Sequence, residues 1–122
     1  MIRKHGEVFL DRVFTADEQG YCSRHKASDQ HYAGRWAAKE SILKALGTGW
    51  AKGIGWTDLE IFHLEGGKPQ VRLHGVAEVV AEKLGIREVM ISISHTSTTA
   101  IAFAIAVGVT TESNLHSMEP NL

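Results

Sequence analysis

The sequence predicts an α+β fold, helices packed on a small, mostly antiparallel sheet. Helical spacing of apolar residues dominates up to Gly47, strand-type alternation is confined to Leu59–Leu73 and Glu88–Val107, and one short helical pattern, Val76–Gly85, separates the two. Helices first and strands after point to segregated layers rather than to alternating βαβ units.

Each element has a local reason. Ile2 to Val13 reads as a short amphipathic helix anchored by Ile2, Phe9, Leu10 and Val13 and weakened by Gly6. Thr15 and Glu18 stand at capping-box spacing, so a second helix is expected to start there and run towards His25. Ser28 is the expected cap of a long helix ending at Gly47, which suits a left-handed C-cap. "GTGWAKGIG" breaks all periodicity and reads as a loop. It lacks a Gly-Lys-Ser/Thr ending and follows a helix instead of preceding one, which argues against a phosphate loop of the nucleotide-binding type. "LEIFHLEGGKPQVRL" reads as a hairpin around Glu65-Gly66-Gly67-Lys68-Pro69, and "VAEVVAEKLG" as a short helix. In "EVMISIS" Val89, Ile91 and Ile93 share one face while Met90, Ser92 and Ser94 share the other. "AIAFAIAV" sets Ile101, Phe103, Ile105 and Val107 against a face of alanines, small enough to admit another layer or subunit. Residues 1–108 are expected to form a single domain, and the polar, unpatterned stretch 109–122 a mobile tail.

Composition narrows the classes. Of 122 residues 43% are hydrophobic and 22% charged, with a net charge of −1, which argues against a general grip on nucleic acid. The longest apolar run, Ala100 to Val107, is far short of the ~20 residues of a membrane span, so no membrane partner is expected. The opening residues hold no apolar run of the secretory kind. A single cysteine, Cys22, forms no internal disulfide and fits a reducing compartment, so the expected location is cytoplasmic.

The chemistry gathers on "RWAAKESILKALGTG". At about 100° per residue, Arg35, Lys39 and Glu40 fall in the arc of Tyr32, Trp36, Leu43 and Leu46, where a helix packed only for structure would keep charge away. Glu40 and Lys44, at i and i+4, read either as a surface ion pair or as a carboxylate that meets a divalent metal. Arg35 and Lys39, one turn apart, suit phosphate oxygens. The histidines are scattered without zinc spacing. His95 stands out at a strand end beside Ser94, Thr96 and Ser97. Together these residues suggest a polyphosphate substrate with Mg²⁺.

"RVFTADE", "GRWAAKESILKALGTG", "GIGWTDLEI", "GGKPQVRLHG" and "ISISHTSTTAIAFAIA" together resemble holo-[acyl-carrier-protein] synthase, the short trimeric class of 4′-phosphopantetheinyl transferases. The resemblance runs in order from about Phe9 to Val107. It implies the 4′-phosphopantetheinyl transferase fold and transfer of 4′-phosphopantetheine from coenzyme A to a serine of apo acyl carrier protein. It implies further that Glu40 binds Mg²⁺ and that Lys44 lies by the reacting phosphate. Arg35, Lys39, His95 and Thr96 match the coenzyme A pocket, and Gly67, Lys68 and Pro69 match a turn that reaches coenzyme A from a neighbouring subunit of a homotrimer. Phe9 and Arg12 match the surface that docks the carrier protein. The serine proton would pass to Glu40 directly or through a metal-bound water. Members of the family usually open with an aspartate-bearing strand that supplies a second metal ligand, and Asp11 and Asp17 do not stand in its place. The alternative is therefore a weakly active or non-catalytic module that binds coenzyme A or carrier protein.

Overall fold

Thr15 makes the first chain reversal. Its hydroxyl accepts the backbone N–H of Glu18 at 3.1 Å while Glu18 Oε1 accepts the N–H of Thr15 at 2.9 Å, the reciprocal bonds that the spacing predicts. In the computed structural model, which describes residues 4–47 and 53–108, this box separates α1 (Lys4–Val13) from α2 (Ala16–Ser23). The expected anchor Ile2, the middle of the glycine-rich loop and the stretch 109–122 lie outside the described residues. On α1, Leu10 and Val13 are buried as expected, but Phe9 is 47% exposed and lies on the solvent side against Trp36.

The long helix, α3 (Ser28–Leu46), starts one residue earlier than Ser28 could cap it. Gln30 and His31 both donate to the carbonyl of Ala27, so Ala27 holds the cap position without a side-chain bond. At the other end Gly47 adopts φ 73°, and its N–H reaches the carbonyls of Leu43 and Lys44. Only glycine takes that conformation without strain.

A 3₁₀ turn, Trp56–Asp58, leads into β1 (Leu59–His63), which pairs antiparallel with β2 (Pro69–Leu73), Ile61 opposite Val71. α4 (Gly75–Lys83) follows, then β3 (Ile86–His95) pairs antiparallel with β4 (Ala100–Gly108). The strands form two separate two-stranded ladders, and β2 lies against β3 without ladder hydrogen bonds.

The faces of β3 and β4 are complementary. Ile91 stands opposite Ala104 and Ile93 opposite Ala102, large against small, and α3 lies across this face. The alanines therefore admit α3 of the same chain, not a second subunit, and Ser41 Oγ seals the approach by donating to the carbonyl of Ala102 at 2.9 Å. At Gly34 helix and strand come close: a Cβ there would stand 2.8 Å from Ile93 Cγ2. Gly34→Ala is expected to cost about 1 kcal/mol or more, because overpacking outweighs the helix propensity gained. A urea midpoint equal to the parent's would show that this contact is not tight.

Two apolar clusters result. Leu10, Val13, Phe14, Cys22 and Tyr32 join α1 and α2 to the first half of α3. Ile42, Leu43, Leu46, Ile54 and Leu59 join its second half to β1 and, through Ala77 and Ala81, to α4. Among the described residues no helix is long and apolar enough to cross a membrane.

Candidate functional site

α3 divides its charges between inside and outside. Lys39 is fully buried, and its ammonium spends its three hydrogens on Val13 O at 2.9 Å, Glu18 Oε1 at 2.8 Å and Trp56 O at 2.9 Å. Burial pulls that ammonium below the ordinary lysine value, and the charge and hydrogen bond of Glu18 oppose the pull. With no donor left over, Lys39 belongs to the interior scaffold, which corrects its expected role as a phosphate ligand.

Arg35 is 1% exposed. Its Nη2 donates to His63 Nδ1 at 2.9 Å, its guanidinium lies 4.3 Å from the centroid of the Tyr21 ring, and Nε has no partner. Among the described residues no carboxylate pairs with it, so the cation is uncompensated.

Glu40 and Lys44 are exposed and make no ion pair with one another. Glu40 does not share the desolvated arc expected from the helical wheel. The buried side chains centre on Arg35, Ile42 and Leu46, which leaves Glu40 at the rim, about 80° round from Tyr32. Its carboxylate faces water beside a cation one turn on, with its charge unspent.

Around Arg35 gather rings from four elements. Tyr21 comes from α2, His25 from the turn that follows it, His31 from α3, His63 from β1 and His95 from β3. The His63 ring stacks on Tyr21 at 4.4 Å, His25 meets His31 at 4.2 Å, and His31 meets His95 edge-on at 5.3 Å. Burial first, then Arg35 and the neighbouring histidines, lowers His63 to about 4 from its ordinary 6.5, and His31 moves the same way. Between those two values the unfolded chain binds a proton that the folded chain refuses. This contribution is whole above pH 6.5 and lost as pH falls towards 4. His63→Gln, which keeps an acceptor for Arg35, is expected to flatten the fall of the urea midpoint across that window. Identical profiles for parent and variant would sink the assignment.

His95 Nδ1 donates to Gln30 Oε1 at 3.1 Å. Beyond it Thr96 closes a tight turn, its hydroxyl accepting the N–H groups of Thr98 and Thr99. His95, Thr96, Gln30 and Asp29 line a cleft of about 210 Å³. Gly67, Lys68 and Pro69 lie at the tip of the first hairpin, where Gly66 and Gly67 take φ 97° and 90°. Among the described residues none of the three bonds to Arg35, Glu40, Lys44 or His95. Cys22 is buried, and burial pushes its thiol up to about 11, so it offers no thiolate at neutral pH.

Residues 1–104 match the family model of the 4′-phosphopantetheinyl transferase superfamily. The chain belongs to the 4′-phosphopantetheinyl transferase superfamily. The holo-[acyl-carrier-protein] synthase of Solibacter usitatus is 43% identical over 104 residues, 85% of this chain and 83% of that protein. That of Caldanaerobacter subterraneus is 49% identical over 100 residues, 82% and 78% of the two chains. Among solved structures, holo-[acyl-carrier-protein] synthase from Neisseria meningitidis aligns with TM-score 0.78 at 30% identity, covering 87% of this chain and 85% of that one. The Helicobacter pylori enzyme in complex with coenzyme A aligns with TM-score 0.74 at 26% identity, covering 87% of each.

As a member of the 4′-phosphopantetheinyl transferase superfamily the chain is an enzyme of group transfer. The sequence gives no functional reading to Glu18 or, apart from His95, to the ring cluster. Glu18 was visible only as a capping residue, while His25, His31, His63 and His95 lie too far apart in the chain for any spacing rule.

Proposed function

We propose that the protein transfers 4′-phosphopantetheine from coenzyme A to a serine of apo acyl carrier protein, releasing adenosine 3′,5′-bisphosphate. The observation that carries the reading is the exposed Glu40–Lys44 pair, one turn apart and not neutralising each other, on the helix with the superfamily's Trp-Ala-Ala-Lys-Glu block.

Among the described residues no three His, Cys, Asp or Glu side chains could cage a metal. The exposed Glu40 carboxylate suits Mg²⁺, a hard ion that keeps most of its waters and takes one or two carboxylates plus substrate phosphates. Glu40 would hold it. Bound there, it would neutralise the pyrophosphate and polarise the transferred phosphoryl group. Lys44 places an ammonium beside the same group, where charge grows as the serine oxygen bonds to phosphorus and the phosphoanhydride bond breaks. The serine proton leaves towards the Glu40 carboxylate, directly or over one water. Arg35 adds an uncompensated positive field that draws phosphate, and His95 and Thr96 supply polar groups in the cleft below.

At about 210 Å³ that cleft is smaller than the roughly 300–1,000 Å³ typical of small-molecule sites, which supports a site completed by a second chain. The hairpin tip Gly67-Lys68-Pro69 is the segment offered to a neighbour's site. The outward face of β3 and β4, with Met90, Ile101, Phe103 and Ile105 exposed, is the surface on which three chains join as a homotrimer. Phe9 and Arg12, exposed on α1, would dock the carrier protein. Activity is assigned to the cytoplasm, where Cys22 stays reduced.

Incubation with coenzyme A, Mg²⁺ and apo acyl carrier protein should add the mass of phosphopantetheine to one carrier serine, with release of the bisphosphate. A carrier protein unchanged in mass would overturn the reading.

A further inference from the structure

The Lys39 ammonium touches α1 through Val13 O, α2 through Glu18 and the 3₁₀ turn through Trp56 O. Glu18 carries the network on, its Oε1 accepting from Thr15 N and its Oε2 from Ile61 N on β1, both at 2.9 Å. Both side chains are fully buried. Stability alone does not call for this arrangement, since apolar residues of similar volume usually serve as well or better than a buried ion pair. An ion pair with this many partners adds direction. On its opposite side α3 rests, with Gly34 against Ile93, on β3 and the alanines of β4, a largely smooth surface with two side-chain bonds, Ser41 Oγ to Ala102 O and His95 Nδ1 to Gln30 Oε1 near the start of the helix, to resist rotation or sliding. Lys39 immediately precedes Glu40.

We propose that Glu18 and Lys39 are positioning residues: their buried ion pair locks the rotation and axial setting of α3, and so fixes where the Glu40 carboxylate and the Lys44 ammonium stand. The inference rests on the transfer activity proposed above. Neither residue touches substrate. Their effect comes from the steep dependence of rate on placement, where a shift of about 1 Å can cost up to about 100-fold.

Two variants test it. Glu18→Gln with Lys39→Met removes both charges together and avoids a lone buried ion. Glu18→Asp keeps the charge and shortens the reach. Each is measured for melting temperature, for coenzyme A affinity by calorimetry, and for kcat and KM of transfer. The expected result is a folded protein with coenzyme A affinity within about twofold of the parent and kcat lowered about 10-fold. Adding Lys39→Met should also recover the melting temperature lost in Glu18→Gln alone. Parent kcat in either folded variant would overturn the proposal. If neither variant folds, the pair serves stability rather than placement, and the proposal is equally overturned. Failure of the underlying reading looks different, since the parent itself would then transfer nothing.

Discussion

Glu40→Gln is expected to lower phosphopantetheine transfer on the order of 100-fold while leaving the melting temperature within a degree or two of the parent's. The split follows from where the side chain sits. Glu40 is exposed on α3 and makes no ion pair among the described residues, so its charge does little for the fold. The amide keeps the shape and loses the charge that attracts a hard cation and accepts a proton. The mass gain of the carrier protein measures transfer, and thermal unfolding measures stability. A variant that transfers at the parent rate with saturating Mg²⁺ would return Glu40 to the role of a solvated surface residue.

Phe103→Lys is expected to be as damaging by another route. Phe103 is 68% exposed at the centre of an apolar stripe in which Met90 faces Ile105 and Ser94 faces Ile101 across the ladder. Burying a large apolar side chain contributes about 1.5–3 kcal/mol, so three chains joined on this stripe gain many times that, and a cation at its centre reverses the sign. The isolated chain loses nothing because the side chain already faces water. Light scattering should show the proposed trimer falling to single chains whose melting temperature no longer depends on protein concentration, with transfer lost on the order of 100-fold as the proposed half-site at His95 loses its completing chain. A trimeric variant, or a single-chain one with full activity, would move the interface elsewhere.

The two charges that α3 sends inward explain what could and could not be read from the sequence. The Thr15–Glu18 box, the Gly47 cap, the first hairpin and the two last strands rest on local chemistry, within five positions or on a period of two, and the structure has them where the sequence puts them. The setting of α3 does not. Arg35 and Lys39 sit at buried positions and dilute its apolar stripe, so the wheel misjudges which rim Glu40 occupies. Their partners are remote: Lys39 meets Glu18 across 21 positions and Arg35 meets His63 across 28. Helix spacing says that a charge faces inward. It does not say what waits there. The start of α3 was misplaced by one residue for a smaller reason, because the carbonyl of Ala27 closes the first turn and Ser28 has no cap to make.

The two ladders also bear on how quickly the chain finds its structure. Each joins strands that are neighbours in sequence, so both hairpins can close on the microsecond scale before any distant part of the chain is in place. The seating of α3 on β4, sealed by a bond between Ser41 and Ala102 that spans 61 positions, is expected to come later. Loop closure over that distance is entropically costly, and until it happens the alanine side of β4 is wet and Lys39 has not been stripped of water. Substitutions on the alanine face should therefore slow folding while those in the hairpin turns change it little, so that the same small side chains set both the gap between helix and sheet and the height of the kinetic barrier.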